Sequence, residues 1–410
     1  MLEQGRRLQV LCGGIFSLLL SLGVARFAYT PLLPLMQEQA GLGIRAAGWL
    51  AAINYAGYLC GALLVSFIGD LALKDRLYRV GMVIAVLSTL LMGLTTDVVL
   101  WAVLRFVGGL SAAAGMLLGT GLILHWLMRH QHRSELGIHF SGIGLGIAGC
   151  AALVEFLTQG LNWREQWFAF AAVGAFLLIP ALRWVPRPDA SGLTTTGEKL
   201  VDRPPGALYL RIFIAAYFCA GVAYVIGATF IVAIVNKLPD LAGQGNLAFL
   251  AIGIGAAPAC IVWDLVARRT GDLNALILAA VLQIVGILLP LLAGGLVMTI
   301  VGTLLFGATF VGMVSLVMTM AGRYYPNRPA KMMGKMSMSY GAGQIVGPAA
   351  TGALAAHFGS YEVGLYLAAA MMLLGTCLLL ALRWVETGDE ARAALDTDRL
   401  HGKAGQSGRS

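Results

Sequence analysis

The sequence predicts an all-α membrane protein with twelve transmembrane helices in two pseudo-symmetric six-helix bundles. Three observations predict it. Apolar residues make up 59% of the 410 residues and charged residues only 12%, against roughly 45–50% and about 25% in soluble domains. The mean hydropathy is +0.81. Twelve apolar runs follow one another with short polar joints, each near the length of about 20 residues that crosses a bilayer. The basic residues of those joints fall almost wholly on one side of the membrane that such spans define.

The runs lie at 8–36, 46–69, 78–96, 98–127, 137–158 and 165–185, then at 209–236, 246–267, 273–292, 294–322, 336–357 and 362–385. Arg6 and Arg7 precede the first run, as in a signal peptide, but the run exceeds the 7–15 residues of a signal core and eleven more spans follow, so it reads as the first helix. From Leu273 to Gly322 no residue is charged. That stretch is too long for one helix, and Pro290 with Ala293-Gly294-Gly295 divides it. With the N-terminus inside, the cytoplasmic segments hold 23 Lys and Arg and the outer loops three, Arg45, Arg164 and Lys237. Arg26 and Arg105 lie within spans. This split places both termini in the cytoplasm, with the chain threading the membrane twelve times.

The longest polar connection follows the sixth run. Pro186, Pro188, Thr194-Thr195-Thr196-Gly197 and Pro204-Pro205-Gly206 mark it as a linker. The domains are therefore a bundle over 1–185, a cytoplasmic linker over 186–208, a second bundle over 209–385 and a polar, mobile cytoplasmic tail over 386–410. The halves look duplicated. Gly221-Val222-Ala223-Tyr224 matches Gly23-Val24-Ala25-Arg26 at an offset of 198, and Gly307 falls on Gly109 at the same offset.

The net charge of +8 does not point to nucleic acid, because the basic residues lie in small clusters between apolar runs. The six cysteines fall inside apolar runs without metal-ligand spacing. Glycine repeats such as Gly142-Ile143-Gly144-Leu145-Gly146 follow no strand and read as close helix packing rather than a dinucleotide fingerprint. No Walker motif, metal cluster or catalytic pair is visible in the spans, so neither an enzyme nor a cofactor is expected. The expected partners are lipid, a small-molecule substrate and a proton or other coupling ion, with the protein a monomer.

The organisation resembles the major facilitator superfamily of secondary transporters. Its loop pattern G-x-L-A-D-R-x-G-R has a displaced counterpart in Gly69-Asp70-Leu71-Ala72-Leu73-Lys74-Asp75-Arg76-Leu77-Tyr78-Arg79, and the matching loop after the eighth span reads Val266-Ala267-Arg268-Arg269-Thr270-Gly271. The resemblance implies a gating loop at Asp70, Asp75, Arg76, Arg268 and Arg269, altered where Arg268 replaces an Asp. Arg105-x-x-x-Gly109 resembles the pattern of proton-coupled members; the antiporter Gly-Pro of the fifth span is missing. A narrower likeness, to the bacterial YbfB/YjiJ group, rests on Arg26-Phe27-Ala28-Tyr29-Thr30-Pro31-Leu32-Leu33-Pro34-Leu35-Met36 and on Gly221-Val222-Ala223-Tyr224 with Ala228-Thr229-Phe230. It implies an inner-membrane transporter and says little of its cargo.

Within the spans, Arg26 is the sharpest candidate. A charge at mid-bilayer costs at least about 2.5 kcal/mol and persists only facing protein or water. Pro31 cannot donate to the Phe27 carbonyl, nor Pro34 to that of Thr30, so the first helix should loosen just outward of Arg26. Three-residue spacing puts Gly23 and Tyr29 on its face. Arg26 reads either as a cationic binding group in a central cavity or as a tie between helices. Arg105 sits two turns into the fourth span and Glu155 near the outer end of the fifth. Glu155 is either the proton-coupling acid, paired with Arg26 or Arg105, or an interfacial acid in water. Asn54, Tyr55, Tyr58, Tyr224, Gln283 and Gln344 line the cavity or bridge helices, Gln344 with its carbonyl left free by Pro348. The substrate-binding candidates are thus Arg26, Tyr29, Asn54, Tyr58, Arg105, Tyr224 and Gln344. His125 and His139, toward the cytoplasmic ends, read as surface groups rather than a proton relay. Two intramembrane arginines against one acid favour transport of an organic anion or zwitterionic metabolite by alternating access, coupled to protons. Proton-driven efflux of hydrophobic drugs is the alternative cargo reading, and a non-transporting sensor or assembly protein the alternative class.

Overall fold

A computed structural model describes residues 2–68, 70–130, 136–188, 205–237, 241–292, 295–324 and 329–407. They form twelve helical rods. Helix α1 is Leu2–Leu18, Leu19–Phe27 and Tyr29–Ala40 in succession; α2 is Ile44–Phe67, α3 Leu71–Met92. Helix α4 joins Val98–Ala113, Ala114–Gly119 and Thr120–Arg129; α5 is Leu136–Leu157 and α6 Trp163–Trp184. The remaining six are α7 Ala207–Val235, α8 Gly245–Thr270, α9 Asp272–Leu292, α10 Gly295–Tyr324, α11 Pro329–Phe358 and α12 Glu362–Ser407.

Ten of these are long and apolar enough to cross a membrane. The two others are α3, with Lys74, Asp75, Arg76 and Arg79 in its first turns, and α11, which is rich in Gly, Ser and Ala rather than branched aliphatics. Large apolar side chains such as Phe67, Val99, Phe156, Val297 and Trp384 face outward, as a lipid-facing surface requires. Helix α7 is apolar all round and almost wholly buried, the behaviour of an interior helix.

Three boundaries differ from the sequence reading. Helix α3 starts at Leu71, not 78, because the Asp70 side chain accepts from the Ala72 amide at 2.9 Å and caps a charged first turn. Asp75 and Arg76 are therefore helical; Gly69 lies outside the described residues. Helix α12 continues to Ser407 through the segment read as a mobile tail: Glu390-Ala391-Arg392-Ala393-Ala394-Leu395 are helix formers uninterrupted by proline. The break in α1 lies at and before Arg26, as a π-helical stretch over Leu19–Phe27 in which the Ala28 amide donates to the Gly23 carbonyl at 3.0 Å. The Pro31 ring crowds the Phe27 carbonyl, and the disturbance is absorbed in the preceding turns. Of the expected linker, residues 189–204 lie outside the described residues.

Helix α1 packs on α5 and α6, and its π-helical stretch also meets α3 and α4. Helix α2 packs on α4, and α3 on α4 and α6. In the later part of the chain α7 lies against α11 and α12, α8 against α10, and α9 against α10 and α12. The seams joining early and late helices are α2 with α11, α5 with α8, and the Tyr29–Ala40 segment with α7. The 198-residue offset holds at atomic contacts. A Cβ on Gly109 would strike the Asn54 carbonyl and one on Gly307 the Ile252 carbonyl; a Cβ on Gly57 would strike Phe106 and one on Gly255 would strike Leu304. Each member of the second pair stands 198 positions after its counterpart. Only glycine permits these backbone approaches.

Candidate functional site

Arg26 occupies the middle of the molecule, at the end of the π-helical stretch of α1, and is 6% exposed. Its guanidinium carbon lies 4.1 Å from the ring centre of Tyr55 and 4.9 Å from that of Tyr58, both on α2. One terminal nitrogen donates to the Gln344 side-chain oxygen on α11 at 3.4 Å. The Nε is buried with no hydrogen-bond partner among the described residues. No carboxylate of those residues is among the groups that contact or polarise this cation. A buried charge of this kind is expensive without a counter-charge.

Across the seam stands a wall of rings. Tyr217 stacks on Tyr340 (centroids 4.6 Å apart, 27° between planes), Tyr340 faces Tyr224 (5.7 Å, 22°), and Tyr224 stacks on Phe310 (4.6 Å, 27°). The sequence reading named Tyr58, Tyr224 and Gln344, and these three do meet Arg26 or face it. It missed Tyr217, Tyr340 and Phe310. The signal was present in helical spacing: Tyr217 and Tyr224 are seven apart on α7, and Tyr340 and Gln344 four apart on α11.

Tyr29 and Arg105 belong to a different layer. Arg105 stacks on the Tyr29 ring at 4.4 Å and donates to the carbonyls of Leu50 and Arg26, each at 3.4 Å. Tyr29 donates to the Ala47 carbonyl at 3.0 Å, and Asn54 to the Arg105 carbonyl at 2.7 Å. These residues bind α1, α2 and α4 to one another. The expected sharing of a face by Arg26 and Tyr29 fails because the π-helical turn disrupts three-residue spacing. Gly23, expected on that same face, packs instead on Gly146 of α5.

Glu155 is exposed, and its carboxylate accepts from Asn246 of α8 at 3.3 Å. The pairing with Arg26 or Arg105 expected from depth does not form. Gly142 and Gly146 face α1, whereas Gly144 and Ala148 face α8, and Glu155, seven residues after Ala148, continues the second stripe. His139, read as a surface group, is fully buried with Nε2 2.9 Å from the Thr120 hydroxyl; the His125 side chain lies outside the described residues. Both amide atoms of Gln283 are buried without partners among the described residues.

The gating-loop candidates separate. Asp75 pairs with Arg79 at 3.0 Å, and Arg79 donates to the Leu182 carbonyl at 2.7 Å and to that of Val185 at 3.4 Å. A cation thus serves the free carbonyls at the end of α6. Arg79, absent from the sequence-based set, joins α3 to α6 together with Tyr78, whose hydroxyl donates to the Ala181 carbonyl at 2.9 Å. Asp70 is a cap, Arg76 is exposed, and Arg268 pairs with Asp264 on its own helix at 2.7 Å in solvent, where such a pair contributes little. Arg269 is exposed.

The end of the molecule away from the N-terminus is closed over Arg26. The Thr30 hydroxyl donates to the Ala228 carbonyl at 2.7 Å, joining α1 to α7. Tyr361 accepts from Gln37 at 3.0 Å, donates to the Ile44 carbonyl at 3.3 Å and stacks on Phe230 at 4.7 Å. Burial pushes the Tyr361 phenol up to about 12 against the opposing hydrogen bond from Gln37, so it remains a donor at neutral pH.

Known proteins resemble this chain in fold or in sequence. The crystal structure of the nucleoside transporter NupG superposes with a TM-score of 0.70 over 92% of this chain and 98% of that chain, at 14% identity. The probable sulfoacetate transporter SauU of Cupriavidus necator is 24% identical over 382 residues, 83% of this chain and 86% of that protein. The MFS-type transporter YceJ of Bacillus subtilis is 26% identical over 171 residues, which span 40% of this chain and 42% of that relative. The family model described as "Uncharacterised MFS-type transporter YbfB" matches residues 18–380, and the chain therefore belongs to this family of major facilitator superfamily membrane transporters.

Proposed function

We propose that the protein is a proton-coupled secondary transporter that carries a small organic anion or zwitterion across the bacterial inner membrane by alternating access. The moving parts are two six-helix bundles, 1–185 and 209–385, joined by a cytoplasmic linker at 186–208, with both termini and the 386–410 tail in the cytoplasm. The single observation that carries the cargo reading is Arg26: a central, buried guanidinium with an unpartnered Nε and no carboxylate beside it among the described residues. An anionic solute supplies the missing charge, whereas a neutral hydrophobic drug does not. The name of the SauU relative, a probable transporter of a small organic anion, agrees. With the termini inside, the contacts of Thr30 and Tyr361 hold the periplasmic end together in this conformation.

Orientation rests on the 23:3 division of basic residues. In a variant without native cysteines, Ser191→Cys is expected to resist an impermeant thiol reagent in intact cells, and Ala242→Cys to react. Reaction at position 191 from outside inverts the topology.

Glu155 is the proposed proton carrier. It is exposed at the periplasmic end of the α5–α8 seam and accepts from Asn246 across it, so protonation weakens a charge-assisted contact between the moving parts. Uptake into proteoliposomes is to be measured with a panel of organic anions, with and without a pH gradient. Wild type is expected to accumulate a carboxylate or sulfonate in response to the gradient. Glu155→Gln is expected to lose most of that accumulation, about tenfold, while keeping counterflow exchange. Undiminished accumulation by Glu155→Gln removes Glu155 from coupling; saturable uptake confined to uncharged solutes removes the anion reading.

A further inference from the structure

We propose that the anion is an aromatic carboxylate, whose acid group takes the free edge of Arg26 and whose ring lies on the tyrosine wall formed by α7 and α11. This rests on the anion reading of Arg26. Tyr55 and Tyr58 cover the face of the guanidinium at 4.1 and 4.9 Å. A planar cation covered on its face offers a ligand its N–H edge, and the buried, unpartnered Nε belongs to that edge. The edge matches a carboxylate through two parallel hydrogen bonds.

The wall opposite sets the rest of the ligand. The ring planes of Tyr217 and Tyr224 each lie within 27° of that of Tyr340. Helix contact does not account for them, because α7 and α11 already meet backbone to backbone where Gly221 touches the Tyr340 carbonyl and Gly343 the Phe218 carbonyl. Tyr58 and Tyr340 are partly exposed although both lie within electrostatic reach of Arg26 at the centre of the molecule. These partly accessible faces, on the packed pair α2 and α11, are where the ring of a ligand would meet the wall. An aliphatic acid would be served by Leu, Ile or Met at these positions; flat tyrosine faces favour a π-system, each stacked pair strengthening binding up to about tenfold beyond the area it covers.

Calorimetry on the purified full-length protein with three probes of similar size tests the proposal. Benzoate is the aromatic acid, cyclohexanecarboxylate the non-aromatic acid and benzamide the neutral aromatic. Benzoate is expected to bind about tenfold more tightly than cyclohexanecarboxylate and at least about thirtyfold more tightly than benzamide. Tyr340→Leu is expected to erase the first ratio, and Tyr340→Phe, which keeps the ring, to preserve it. Equal binding of the two acids, both above benzamide, overturns the aromatic class while the anion reading stands. Benzamide binding as tightly as benzoate overturns the anion reading itself. Saturable binding by none of the three overturns the aromatic-acid proposal.

Discussion

Replacing Arg26 by alanine is expected to weaken benzoate binding at least about a hundredfold with the protein still folded in detergent. Hydrogen bonds to a charged group contribute about 1.5–3 kcal/mol each, and a two-pronged grip on a carboxylate thus exceeds the roughly 2.7 kcal/mol that a hundredfold represents. Among the described residues Arg26 is held by a long hydrogen bond to Gln344 at 3.4 Å and by its contacts with Tyr55 and Tyr58, so the fold loses little with it. Removing an uncompensated buried charge offsets part of the lost ring contacts with Tyr55 and Tyr58. Lysine keeps the charge and loses the fork; Arg26→Lys is expected to bind about tenfold more weakly than wild type. Calorimetry of benzoate and cyclohexanecarboxylate against both variants, beside their melting temperatures, checks this. Unchanged affinity in a well-folded Arg26→Ala protein excludes Arg26 from the site.

Arg105→Ala is expected to do the reverse, lowering the melting temperature in detergent by at least about 3 °C, or preventing folding. The Arg105 guanidinium holds the Leu50 and Arg26 carbonyls and the Tyr29 ring. Its loss frees two buried carbonyls and opens a space where α1, α2 and α4 converge. Even with both bonds long, the cost is about 3 kcal/mol, and a kcal/mol corresponds to roughly 1 °C in a chain of this size. Arg105→Lys, which keeps the charge but not the geometry, is expected to fall between. An Arg105→Ala protein that melts like wild type and loses only ligand affinity would place Arg105 in the site instead of its frame.

The fold was legible wherever its cause was local composition. Apolar run length placed the helices, because the lipid-facing and interior sides of a membrane helix are both apolar and no periodicity has to be resolved. Gly23, Gly109, Gly221 and Gly307 marked a repeat that the helix contacts share. Arg26 stood out because a charge inside a span needs a reason. The illegible parts depended on helix rotation. The π-helical turn over Leu19–Phe27 took Tyr29 out of the Arg26 layer. The rotation of α5 gave Glu155 to Asn246 rather than to an arginine, and burial of the same helix enclosed His139. The tyrosine wall is assembled from α7, α10 and α11, with no two of its helices adjacent in the second half except the last pair, so only its within-helix spacings were visible. Arg79 was passed over because Leu71–Arg79 looked like a loop, whereas on a helix it falls one turn after Asp75 and reaches the end of α6.

The most direct test of an anion site at Arg26 is a structure of the full-length protein with a transported acid bound. The acid group is expected within hydrogen-bond distance of the Arg26 guanidinium, with Gln344 displaced from its 3.4 Å contact or sharing the anion and the rest of the solute against Tyr224 and Tyr340. An acid bound elsewhere, with Arg26 still resting on Tyr55 and donating to Gln344, would contradict the account.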